Sequence, residues 1–206
     1  MKTSPQKLLA SFGSNLLEAG SDEAGRGCLA GPVFAAAVIL SPDCDFPGLD
    51  DSKKLTARQR QQIRKRIEET SVAWAIGVAD NTEIDELNIL NASFLAMHRA
   101  ISRLAVQPGL LLIDGNRFKP YPGILHHCLV GGDAKYMTIA AASVLAKTHR
   151  DDYMIQIHKE FPHFGWGQNK GYPTPAHITA LREYGPTKYH RRSFRPKSQL
   201  KLVLGT

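Results

Sequence analysis

The chain has 206 residues, 43% of them hydrophobic and 22% charged, enough to bury a core, and no run approaches the roughly 18 apolar residues of a membrane span. Three cysteines, Cys28, Cys44 and Cys128, are an odd number without a C-x-x-C pair, which excludes a disulfide framework and a structural zinc site. A net charge of +7, with seven basic residues against one acid between Arg182 and Lys201, points to a polyanionic partner, nucleic acid first.

In chain order, the opening segment carries lysines without a continuous apolar core, so a cytoplasmic protein with no membrane segment is expected. The run LLEAGS (16–21) is strand-like and leads into Asp22 and Glu23. VFAAAVIL (33–40), between Pro32 and a Ser-Pro-Asp turn, predicts a strand buried on both faces. TARQRQQIRKRIEE (56–69) reads as a highly charged helix with Thr56 as N-cap, followed by a strand over 72–79. Apolar residues recurring from Ile89 to Leu104 predict one helix over 82–104, and GLLLID (109–114) predicts a strand ending on Asp114. A short strand in HHCLVGGD leads to Asp133, then a helix over 137–161 whose alanines permit close packing. Strands alternating with helices indicate an α/β sandwich over residues 1–173, with a helical, basic C-terminal portion over 174–206.

Asp22, Glu23, Asp114 and Asp133 share one feature: each follows a strand-like run and lies near glycine. Strand ends in α/β sheets line the crevice where ligands bind, so these acids are placed to converge. Converging carboxylates repel one another and call for a cation, and hard magnesium or manganese suits oxygen ligands. Consecutive side chains on a strand alternate faces, so Glu23 joins Asp22 only if the strand ends or bulges there, or if its carbonyl is the ligand. Gly25-Arg26-Gly27 follows directly, and glycines there allow the backbone to come close to a ligand, offering amides and one guanidinium to a phosphodiester or a 2′-hydroxyl. Paired carboxylates also serve glycoside hydrolases, which give no reason for the basic tail. A non-catalytic nucleic-acid-binding module explains the tail but leaves the acids without a role.

The segments DEAGRGCLAGPV, DDSKKLT, IDELNIL, LLIDGN, GGDAKYMTIAAASVLAKTHRD, GYPTPAHITAL and HRRSF, spanning residues 17–195, resemble the type 2 ribonucleases H, specifically bacterial ribonuclease HII. The resemblance implies a ribonuclease H-like sandwich on a five-stranded mixed sheet. It implies an endonuclease that acts on RNA–DNA hybrids and on duplex DNA containing single ribonucleotides, with Mn2+ or Mg2+ as cofactor, working as a monomer. By position, Asp22, Glu23, Asp114 and Asp133 match the family's acidic quartet, and Gly25, Arg26 and Gly27 match its 2′-hydroxyl-reading turn. Tyr172 matches a tyrosine that stacks on the nucleotide after the junction, while Lys53, Ser143 and Lys147 match positions associated with backbone contacts. The C-terminal arginines fit phosphate binding, and His177 and His190 fit structural or substrate-contacting positions. One departure is Cys28, where the family commonly has proline after the turn; it sets a thiol near the expected metal site, open to soft metals and oxidants.

Overall fold

The computed structural model describes residues 8–41, 46–49 and 55–194. In chain order these form β1 (Glu18–Ala24), β2 (Val33–Ile39), α1 (Ala57–Thr70), β3 (Ala73–Ala79), α2 (Asn81–Leu87), α3 (Ile89–Ser102), β4 (Leu110–Asp114), β5 (Leu125–Leu129), α4 (Met137–His158), α5 (Trp166–Asn169) and α6 (Pro175–Tyr184). The five strands make one mixed sheet in the order β3-β2-β1-β4-β5. β1 runs antiparallel to β2, and β2 to β3, whereas β4 is parallel to both β1 and β5. No helix among the described residues is long and apolar enough to cross a membrane.

β2 is buried along its whole length because both faces of the sheet are covered. Ala35, Ala37 and Ile39 pack with Ala92, Ala96 and Ala100 of α3, while Ala36 and Val38 pack with Ile63 and Ile67 of α1 and Ala141 and Leu145 of α4. Burying each larger side chain contributes about 1.5–3 kcal/mol. Small residues set the layer spacing. A Cβ on Gly20 of β1 would lie 2.3 Å from the Thr138 carbonyl carbon, and one on Gly77 of β3 would lie 2.0 Å from the Ala96 carbonyl oxygen. Gly20 therefore lets the first turn of α4 press onto the middle of β1, which brings α4 side chains beneath the strand's carboxylates.

Two expectations are corrected. The single helix over 82–104 is two helices, because Asn88 takes φ 65 and caps α3 by accepting from the amides of Leu90 and Asn91. With ψ 163 it lies outside the αL well, in a positive-φ region that few residues other than glycine adopt. Asp133 is not at a strand end: β5 stops at Leu129, Gly131 turns the chain at φ 64, and Asp133 lies buried in a short 3-10 turn over Gly132–Ala134.

Beyond α6 the chain returns as a strap over the β1–β2 connection. Arg191 N donates to Leu29 O at 2.9 Å and Gly31 N donates to Tyr189 O at 2.9 Å. Asp85 of α2 fixes the far end by accepting from the amides of Arg192 and Ser193, at 2.9 and 2.8 Å.

Candidate active site

Asp22, Glu23, Asp114, Gly25, Arg26, Gly27, Ser143, Lys147 and Tyr172 line one cavity of about 470 Å³. It opens where β1 and β4 end side by side. The parallel ladder between them stops at Ser21↔Ile113, while β1 continues, paired to β2, through Ala24. Asp22 and Glu23 thus project past the end of the β4 pairing, next to Asp114, and both carboxylates reach the cavity without a bulge in β1.

Burial pushes the Asp22 carboxyl well above its usual range, and the carboxylates of Glu23 and Asp114 push it further; a Ser143 hydrogen bond and the Glu23 amide, 2.7 Å from Oδ1, oppose this. Glu23 is also raised by burial, against the pull of Arg26, whose Nη1 lies 3.0 Å from Glu23 Oε1. Asp114 Oδ1 accepts from the Gly132 amide at 2.8 Å. Among the described residues, no three His, Cys, Asp or Glu side chains are gathered closely enough to hold an ion as they stand. The carboxylates instead occupy protein donors and crowd one another in a buried setting. Hard oxygen donors crowded in this way, with Asp22 and Glu23 both raised, match the chemistry of a divalent cation such as magnesium or manganese.

Gly25 to Cys28 forms a turn in which Cys28 N reaches Gly25 O at 3.4 Å. Gly25 needs to be glycine twice over: its φ is +98, and a Cβ would meet Arg150 Nε at 2.0 Å. Gly27 is different, since a Cβ there would find only the Tyr172 ring, at 4.0 Å. Among the described residues no acceptor takes the Arg26 or Gly27 amides. Lys147 Nζ pairs with Asp151 at 2.7 Å and lies 5.9 Å from the centre of the Tyr172 ring.

The ribonuclease HII family profile matches residues 19–197. The ribonuclease HII of Porphyromonas gingivalis is 59% identical over 181 residues, 88% of this chain and 90% of that protein. The chain belongs to the ribonuclease HII family. Among solved structures, ribonuclease H2 from Pyrococcus horikoshii superposes with a TM-score of 0.75 at 22% identity, covering 90% of this chain and 97% of that one. The RNase HII of the Archaeoglobus fulgidus PCNA:RNase HII complex gives 0.74 at 25%, covering 88% and 96%. Membership in the ribonuclease HII family makes the chain a nuclease and sets aside the glycoside hydrolase and the non-catalytic binding module.

Several sequence expectations for this ribonuclease HII chain change in detail. Asp133 lies beside the cavity rather than on its wall, one residue from the Gly132 amide that holds Asp114. Lys53 lies outside the described residues. Arg60 lines the cavity and was not anticipated; a helix as uniformly charged as α1 does not reveal which face meets a site. Arg191 is not a phosphate contact: it is 2% exposed and bound to backbone carbonyls. Cys28 is fully buried, and burial holds its thiol above its usual range, so it does not present a reactive thiolate to the cavity.

The two histidines are structural. Trp166 Nε1 donates to His177 Nε2 at 3.0 Å, which leaves the His177 proton on Nδ1, 2.9 Å from Tyr172 O. Thr187 N donates to His190 Nδ1 at 2.9 Å, which leaves the His190 proton on Nε2, 3.2 Å from His177 Nε2. Both rings must be neutral, and burial with the neighbouring His177 lowers His190 to about 4. An unfolded histidine titrates near 6.5, so the unfolded chain takes up this proton first as pH falls. The stabilisation is complete above about pH 6.5 and is lost between there and about 4, amounting to about 3 kcal/mol. Urea unfolding of wild type and His190→Asn at pH 7, 6 and 5 should show the stability gap narrowing as pH falls; a constant gap contradicts the neutral pair.

Proposed function

We propose that the chain is a divalent-metal-dependent endonuclease that cuts the RNA strand of RNA–DNA hybrids and nicks duplex DNA on the 5′ side of a single embedded ribonucleotide, leaving 3′-hydroxyl and 5′-phosphate ends. The observation that carries this reading is the meeting, in one cavity, of the Asp22, Glu23 and Asp114 carboxylates with the Gly25-Arg26-Gly27 turn and the half-exposed Tyr172.

Asp22, Glu23 and Asp114, with Asp133 behind Asp114, would hold the metal. Two magnesium or manganese ions held by these residues would supply an activated water and charge neutralisation at the leaving 3′-oxygen. Ser143 orients the Asp22 carboxylate through its hydrogen bond. The open amides of Arg26 and Gly27 serve as donors to the 2′-hydroxyl of the ribose, a group that DNA lacks. Arg26 also ties the turn to the acids through Glu23. Tyr172, 40% exposed with Lys147 beside its ring, offers an apolar face for sugar or base stacking on the downstream nucleotide. Arg60, Lys147 and, by its place in the family pattern, Lys53 would neutralise phosphates along the groove.

Cleavage of a labelled RNA–DNA hybrid with magnesium or manganese, and with chelator, tests the reaction class. The RNA strand should be cut only with metal, and turnover in the presence of chelator contradicts the metal role of the carboxylates.

A further inference from the structure

We propose that Arg191 is a positioning residue for ribose recognition, holding the two peptide units of the Gly25-Arg26-Gly27 turn in place and strengthening their N–H groups as donors. The inference rests on that turn reading the 2′-hydroxyl. Arg191 Nη2 donates to Gly25 O at 2.7 Å and Nη1 to Arg26 O at 2.8 Å, while Nε donates to Gly31 O at 2.9 Å. The Gly25 carbonyl belongs to the same peptide unit as the Arg26 amide, and the Arg26 carbonyl to the same unit as the Gly27 amide. A cation on the oxygen draws electron density from the nitrogen, so the two amides that no acceptor takes among the described residues are the two polarised by the guanidinium.

The arrangement is costly as a stability device. Arg191 is buried, and no ion pair to a carboxylate is found for it among the described residues. Burying a charge away from water is costly unless it is hydrogen-bonded, and a planar fork with fixed donors is what sets two successive carbonyls at once. The strap delivers it accurately: His190, one residue before, is locked by Thr187 and His177, and the following amides are held by Asp85. Arg150 holds the adjoining carbonyls of Ala30, Pro32 and Lys170, so Arg191 is the guanidinium that reaches the turn's own carbonyls.

The test measures binding of two duplexes, identical except for one ribonucleotide, in an Asp22→Asn background with magnesium present so that neither is cut. Arg191→Gln should reduce the preference for the ribonucleotide duplex by about tenfold, and Arg191→Lys by less, with affinity for the all-deoxy duplex unchanged. Ile101→Val, a core truncation in α3, lowers the melting temperature without touching the preference and separates loss of stability from loss of polarisation. In glycine-labelled protein the Gly27 amide proton should shift upfield in Arg191→Lys; this variant decides the matter if Arg191→Gln does not fold. If the parent prefers neither duplex, the reading of the turn falls and takes the role of Arg191 with it. If the parent prefers the ribonucleotide and the folded Arg191 variants keep that preference and the Gly27 resonance, the role of Arg191 alone is overturned.

Discussion

Replacing Asp22 with asparagine should lower metal-dependent cleavage by more than about 10³-fold while raising the melting temperature of the chelator-treated protein. The loss follows from the proposed metal role of Asp22, on which several kcal/mol of transition-state charge stabilisation would depend. The gain follows because Asp22 is 6% exposed and pushed upward in pKa by burial, Glu23 and Asp114. A neutral side chain of the same shape keeps the Glu23 amide as a donor and removes the repulsion. Stability sacrificed at a functional site is a familiar trade. Divalent ions should raise the melting temperature of wild type and have little effect on the variant. Thermal melts with chelator and with magnesium check both parts; a variant less stable than wild type in chelator would mean that Asp22 is compensated by the protein itself.

Gly27→Ala should fold as well as wild type and yet lose about 10²-fold in cleavage at a single ribonucleotide. Inside the protein the new methyl group meets only the Tyr172 ring, at 4.0 Å, an ordinary contact. Alanine also restricts the unfolded chain, which favours folding by about 0.4–1 kcal/mol where the backbone allows it. On the proposed reading of the turn the methyl group meets the ribose of the substrate, and a displacement of about 1 Å there costs about 10²-fold. Gly25→Ala makes the contrast, because its Cβ would lie 2.0 Å from Arg150 Nε at φ +98, so that variant should lose stability as well as activity. Melting temperatures and initial rates on the two variants separate a glycine required by the fold from one required by the ligand.

The parts legible in the sequence are those set by local pattern. Eight consecutive apolar residues between turn formers announced β2, and acids next to glycines announced Asp22, Glu23 and Asp114 at the edge of one cavity. What escaped depends on the path of the backbone in space. The break at Asn88 turns on one positive-φ residue inside a helical apolar period. The place of Asp133 depends on Gly131, which ends the strand early and folds the acid into a buried turn. Glu23 reaches the cavity with no bulge, because a neighbouring ladder stops short, a property of β4 rather than of β1. Charge counting assigned Arg191 to phosphate, since nothing in its neighbours tells that the strap carries it onto the backbone carbonyls of the β1–β2 connection. Arg60 was hidden by the charge of α1, where every residue outside the Ile63–Ile67 stripe is polar or charged from Arg58 to Glu69 and none marks the side that meets the cavity.

The most direct measurement is to map the cut in a DNA duplex carrying one ribonucleotide, with both strand ends labelled and magnesium or manganese present. A single nick on the 5′ side of that ribonucleotide, with a 3′-hydroxyl and a 5′-phosphate, absent with chelator and absent in an all-deoxy duplex, is the predicted result. An intact duplex under conditions in which a long RNA–DNA hybrid is cut would contradict the assignment of Gly25-Arg26-Gly27 as the ribose-reading turn.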